Sequence, residues 1–261
     1  MKPKKSLGQN FLKNEEIADQ IVEAADLEKD NIVLEVGPGM GILTERLISK
    51  AKKIWAIEKD YDLVEKLRKR IGGAKNLKLI HQDALWFDLS LLDKYKVVAN
   101  IPYNITSPLI RKFIEGDKKP ELMVLMVQKE VAERICAKPG NSERGLLTII
   151  VEYYANPEIL FNVSKKEFYP NPEVDSAVIT IITKKQNTIT KQVKPEKFFR
   201  IVKAGFSAKR RQIHNSLAAT LHLSKDEVSD WLKKSQIKET SRAEDLSLGD
   251  WLKLTENFHI L

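Results

Sequence analysis

The chain has 261 residues, 43% of them apolar, and 44 Lys or Arg against 36 Asp or Glu give it a net charge of +8. That length exceeds one average domain and the apolar fraction suffices for a sizeable core, so two folded domains are expected rather than a disordered chain. The one cysteine, Cys136, excludes an internal disulfide; no apolar run nears the ~18 residues that span a bilayer, and the lysine-rich start lacks the apolar core of a secretion signal, so a cytoplasmic protein with no membrane partner is expected.

The first elements alternate between helix and strand. The stretch Lys5-Ser-Leu-Gly-Gln-Asn-Phe-Leu12 reads by composition as a basic arm, and Asn14 can cap a helix that carries Ile17, Ile21 and Ala25 on one side. A buried strand, Asn31–Val36, runs into Gly37-Pro-Gly-Met-Gly41 and then into the helical ILTERLISK. Glycines there let a ligand approach the backbone. Ile42 stands where a dinucleotide fingerprint needs its third glycine, which makes a nicotinamide enzyme the weaker interpretation. A second strand, Lys53–Glu58, ends in a carboxylate that can hold both ribose hydroxyls of an adenosine ligand or cap the next helix. A third, Leu77–His81, precedes Gln82-Asp83-Ala84, where Asp83 can bind an adenine amino group or serve only as a turn residue.

Asn100-Ile101-Pro102-Tyr103 follows a further apolar strand and is the most informative stretch. The lone pair of an exocyclic adenine amine is delocalised into the ring. Making it a nucleophile requires acceptors that hold its two N–H bonds and favour a pyramidal nitrogen. The Asn100 side-chain oxygen is one such acceptor. The Ile101 carbonyl, oriented by Pro102, can be the second, with Tyr103 stacking on the base. The bland reading of the same residues is a turn that ends the strand. Beyond it, Cys136 sits in a helical stretch, Val131–Ala137, that suits packing rather than a reactive thiol. Phe168-Tyr-Pro-Asn-Pro-Glu-Val-Asp-Ser-Ala177 reads as a Pro-rich loop before a strand from Ala177 to Thr183.

The alternation from Asn31 to Thr183 implies a parallel sheet covered on both faces. Residues 184 to 190 are polar and aperiodic and are taken as a linker, after which only helical patterns follow: Glu196 to Ser207, Gln212 to Leu221, Lys225 to Lys234 and a short one near Leu248. Residues 184 to 223 hold ten Lys or Arg against one acid, Glu196, an excess of +9 in a chain whose total is +8. Such a concentration suits phosphates. Within it, Ile213, Leu217 and Leu221 form an apolar stripe, with Arg211 and Asn215 on the opposite face. The four histidines, His81, His214, His222 and His259, have no ligand spacing, so no metal site is expected.

Taken together, these segments resemble the KsgA-type small-subunit rRNA adenine N6-dimethyltransferases over nearly the whole chain. The likeness is carried by the arm through Leu12, the Gly37 turn, Glu58, Asp83, Asn100 to Tyr103, Phe168 to Ala177, and Phe206-Ser-Ala-Lys-Arg-Arg-Gln-Ile-His-Asn-Ser-Leu217. The resemblance implies a Rossmann-like S-adenosylmethionine-dependent methyltransferase domain over 1–184, with a seven-stranded sheet containing one antiparallel strand. It also implies a small all-helical RNA-binding domain over 185–261. For the cofactor, S-adenosyl-L-methionine, it implies contacts from Asn10, Leu12, Gly37, Gly39, Glu58, Asp83, Ala84 and Asn100. Asn100, Ile101 and Tyr103 would act at the target amine, Phe168 would help clamp a flipped adenine, and Lys209, Arg210, Arg211 and Asn215 would hold RNA. The implied reaction is dimethylation of two adjacent adenines in a hairpin loop near the 3′ end of 16S rRNA, on the small ribosomal subunit or its precursor, by a monomer. A large-subunit enzyme of the erythromycin-resistance type and a non-catalytic ribosome-assembly factor are the alternatives.

Overall fold

The structure is a computed structural model that describes residues 3–4, 7–185, 193–208 and 210–258. Much of the expected linker and all of Lys209 therefore lie outside the described residues.

Packing divides the chain into two compact units, residues 1–132 with 155–183, and residues 133–154 with 184–261. The second unit thus takes in a segment that a division in chain order at residue 184 assigns to the first.

In the first unit, β1 (Phe11–Leu12) leads into α1 (Glu15–Ala24), whose first turn is capped as expected, with the Asn14 side chain accepting from Ile17 N at 3.1 Å. There follow β2 (Ile32–Val36), α2 (Ile42–Lys50), β3 (Lys53–Glu58), α3 (Tyr61–Ile71), β4 (Leu77–His81), β5 (Tyr95–Asn100), α4 (Thr106–Glu115) and β6 (Leu122–Gln128), which runs into α5 (Lys129–Ile135). The sheet is completed by β7 (Ala155–Val163) and β9 (Ser176–Thr183), while β8 (Phe168–Tyr169) pairs with β1. The seven strands lie in the order β4-β3-β2-β5-β6-β9-β7. All neighbours are parallel except those of β9, which runs against both β6 and β7, so there is one antiparallel strand.

Burial explains why these sequences take these places. β2, β3 and β6 are apolar and buried almost throughout, as strands covered on both faces must be. Between its buried ends β7 alternates exposed and half-buried positions because it lies at the sheet edge with one face wet. That place also tolerates Pro157, which has no N–H to give a second neighbour. The parallel order brings the C-terminal ends of β2, β3, β4 and β5 to one edge, where an open α/β sheet binds its ligand.

The second unit is helical, built from α6 (Leu146–Tyr154), α7 (Pro195–Gly205), α8 (Ile213–Leu221), α9 (Lys225–Lys234) and α10 (Leu248–Glu256). Its core contains Phe198, Ile201, Trp231 and Trp251. Gly205 allows the closest approach in it, since a Cβ there would stand 2.3 Å from the Trp251 ring. Arg144 is fully buried, but the Glu152 carboxylate (2.6 and 2.7 Å) and the carbonyls of Ala137 and Leu246 satisfy it. α8 begins at Ile213, one residue later than expected, because Gln212 is extended and bridges to Arg242.

Candidate active site

One cleft in the first unit gathers residues from the arm, the Gly37 turn and the ends of β3, β4 and β5, with about 1070 Å³ of empty space including its open mouth. It is lined by Asn10, Leu12, Gly37, Gly39, Glu58, Asp83, Ala84, Asn100, Ile101 and Tyr103, so these expected site residues lie together.

The turn after β2 is shaped for close approach. Gly37 and Gly39 have φ of +66° and +58°, and a Cβ on Gly39 would stand 3.1 Å from the Phe11 ring. Gly41, also left-handed, caps α2 without any side-chain bond.

Glu58 is not the solvated helix cap of the alternative reading. It is 7% exposed, and the cap of α3 is Asp60. The Glu58 carboxylate accepts from Gly39 N at 3.2 Å and Asp60 N at 2.9 Å, one on each oxygen. Each oxygen retains a lone pair for a diol. Burial raises its pKa above its ordinary value, with the hydrogen bonds from the Asp60 and Gly39 backbone opposing.

Asp83 does form a turn, accepting from Leu85 N at 2.9 Å, while its other oxygen takes Lys59 Nζ at 2.8 Å. The Lys59 bond is the main reason its pKa falls below the usual value. The loop after it is held from α4, where Lys112 Nζ donates to the carbonyls of Ala84 (3.2 Å), Leu85 (2.7 Å) and Phe87 (2.5 Å). Nothing in the sequence pattern marks Lys112, since the three carbonyls lie 25 to 28 positions earlier, on the other side of β5.

At the end of β5, Asn100 Nδ2 donates to the Asn10 carbonyl at 3.3 Å, which turns its Oδ1 away from that bond as a spare acceptor. The Pro102 carbonyl accepts from Ile105 N (3.1 Å) and Thr106 Oγ1 (3.4 Å) and closes the turn, so the Ile101 carbonyl is not the one that does so. The Tyr103 hydroxyl lies 2.6 Å from Ser176 Oγ, which fixes the ring at the cleft wall; burial raises its pKa. Ser176 is a positioning partner that the sequence reading missed.

The remaining expected residues lie elsewhere. Phe168 does not line the cleft: its side chain is fully buried in the core with Leu12, its register partner, and the exposed aromatic of β8 is Tyr169. Arg210, Arg211 and Asn215 are exposed in the second unit.

A doubly wound sheet with a glycine turn after its first long strand, an acid at the end of the next and an Asn-Ile-Pro-Tyr turn at the cleft defines an S-adenosylmethionine-dependent methyltransferase. The donor set fits that cofactor: the buried Glu58 for a ribose, the Ala84 loop for an adenine, and a glycine turn for the amino-acid end. Residues 1–259 match the model of the family described as ribosomal RNA adenine dimethylase. The ribosomal RNA small subunit methyltransferase A of Fusobacterium nucleatum is 44% identical, over 98% of both chains. The protein of that name from Dehalococcoides mccartyi is 43% identical over 97% of this chain and 88% of its own. Among solved structures, a dimethyladenosine transferase from Plasmodium falciparum superposes with a TM-score of 0.81 and 31% identity, covering 94% of this chain and 95% of the other. The 23S rRNA methyltransferase ErmE gives 0.79 and 26%, covering 95% and 99%. The chain belongs to the ribosomal RNA adenine dimethylase family.

Proposed function

We propose that the protein transfers two methyl groups to N6 of each of two adjacent adenines, in a hairpin loop near the 3′ end of 16S rRNA, acting on the small ribosomal subunit or its precursor. The observation that carries the chemistry is the Asn100 amide, anchored through its nitrogen at 3.3 Å and so presenting its oxygen as an acceptor in the same cleft as Glu58 and the glycine turn. The small-subunit substrate is supported by full-length relatives so named at 43–44% identity, against 26% for the large-subunit enzyme.

Bound S-adenosylmethionine supplies a methyl group on a sulfonium leaving group. The chain's own residues prepare the amine. Asn100 Oδ1 and the Ile101 carbonyl accept its two N–H bonds, which localises the lone pair for in-line attack. After one transfer the amine still has an N–H for one acceptor, so the same pair serves the second. Tyr103, fixed by Ser176, offers a ring face that offsets the few kcal/mol of unstacking an adenine. The amine sheds its proton to water, and the rate gain comes from orientation and electrostatics rather than from a base. Glu58, Ala84 and Asp83 hold the adenosine part of the cofactor. The exposed Arg210 and Arg211 meet RNA phosphates. A ribosomal substrate implies a cytoplasmic site of action.

Purified small and large ribosomal subunits incubated with a methyl-labelled cofactor test the reading. Label in small-subunit rRNA is expected. Label in large-subunit rRNA alone would assign the enzyme to the other subunit, and stable binding with no label would make it an assembly factor.

A further inference from the structure

The arm is tied down by a carboxylate that the proposed chemistry does not use. Asp60 is 2% exposed although it stands at the exposed start of α3. Its Oδ1 takes Lys4 Nζ at 2.7 Å and Asp62 N at 3.1 Å, and its Oδ2 takes Gln9 Nε2 at 2.7 Å. Gln9 Oε1 in turn accepts from Lys4 N at 2.8 Å, and Lys4 Nζ also reaches Asp62 at 2.8 Å. Helix capping needs only the Asp62 bond. The rest bind residues 4 and 9 of the arm to a turn some fifty positions away. Burial pushes the Asp60 carboxyl up, but the bonds from Lys4, Gln9 and the Asp62 backbone, with the Lys4 charge, together hold it below its ordinary pKa.

The held arm then reaches the site at three places. Gly8, at φ +62°, passes close to Asn104, just beyond Tyr103; Phe11 packs on Gly39; and the Asn10 carbonyl takes the Asn100 amide hydrogen at 3.3 Å. An asparagine amide can present oxygen or nitrogen with nearly the same shape. Only a hydrogen bond decides which one faces the ligand, and here the deciding acceptor is a backbone atom of the arm.

We propose that Asp60 is a positioning residue for methyl transfer: by latching Lys4 and Gln9 it holds the Asn10 carbonyl where it fixes the Asn100 amide with its oxygen towards the target amine. This rests on the reading of Asn100 as the acceptor. The arm is therefore more than a wall of the cofactor cleft: the latch that holds it also sets the acceptor.

The test is a double-mutant cycle on the full chain. Lys4→Met with Gln9→Leu removes the latch from the arm while leaving Asp60 to cap α3. At saturating cofactor and RNA, single-turnover methyl transfer should fall about 10–100-fold, the size expected when a reacting group is misplaced by about an ångström. In an Asn100→Ala background the same pair should cost less than about twofold, since no acceptor is left to misorient. Lys4→Arg should retain the wild-type rate. Cofactor affinity is measured alongside by calorimetry. A latch variant with weaker binding but an unchanged saturated rate would make the arm a wall only and overturn the proposal. Full additivity with Asn100→Ala would do the same. If Asn100→Ala by itself keeps the wild-type rate, the acceptor reading fails instead, a distinct result.

Discussion

Glu35 offers a sharp physical test, because it buries a carboxyl without a partner. It lies on β2, is 1% exposed, and neither of its oxygens, nor Thr44 Oγ1 beside it on α2, has a hydrogen-bond partner among the described residues. Burial is the main reason its pKa is pushed up from 4.5 to about 8, with the nearby Glu58 charge adding. The sign follows from proton counting. Between those values the folded protein keeps the proton and the unfolded chain has released it, so stability falls as pH rises. The slope is about 1.4 kcal/mol per pH unit, and across the window the loss is on the order of 5 kcal/mol, a large part of a typical ~5–15 kcal/mol. Below about pH 4.5 the two states are protonated alike and the effect is gone. Glu35→Gln imitates the neutral acid at every pH. Urea unfolding of both proteins at about pH 5 and pH 8.5 should therefore show the variant gaining roughly 2–5 kcal/mol over the wild type as pH rises. Its buried amide costs the same at both values and cancels in the comparison. Identical pH dependence in the two proteins would show that Glu35 is ionised or solvated in the fold, and that burial does not keep it protonated.

Other outcomes follow from single contacts. Glu58→Ala should weaken S-adenosylmethionine binding by roughly 1.5–3 kcal/mol through lost charge-assisted hydrogen bonds, and unchanged affinity in calorimetry would remove it from the cofactor site. Lys112→Met frees three carbonyls of the Ala84 loop, and cofactor affinity should fall about 5–30-fold with little change in the saturated rate. Replacing Arg210 and Arg211 with Ala should weaken RNA binding and lower the salt slope of log K by about 0.7–0.9 for each lost phosphate contact, with cofactor affinity and melting temperature unchanged. An unaltered slope would place the RNA grip elsewhere.

What the sequence showed and what it hid follow a physical line. β2 and β3 were legible because a buried strand must be a short apolar run, and the residues after β2, β3 and the edge strand β4 were legible because ligand chemistry demands them. The Asn14 cap was legible because capping is local. β7 was not singled out, since Asn156 and Pro157 imitate a turn and only its place at the sheet edge makes them acceptable. By its residues Phe168 read only as part of a Pro-rich loop, and pairing with Leu12 across more than 150 residues makes it a short buried strand. The links from Asp60 to the arm and from Asn10 to Asn100 join side chains to backbone or surface groups distant in sequence. Such contacts leave no periodicity to read.

The proposed role of Asn100 is to make an rRNA adenine amine nucleophilic. It is tested most directly by mass spectrometry of the nucleosides of small-subunit rRNA after incubation with wild-type protein or Asn100→Ala, each with measured cofactor affinity. The wild type should yield N6,N6-dimethyladenosine. The variant should bind cofactor within about tenfold of the wild type yet lose at least 100-fold in transfer, because the acceptor acts mainly in the transition state. Dimethyladenosine formed by the variant at near wild-type rate would contradict the mechanism, and methylation found only on other nucleosides would contradict the function.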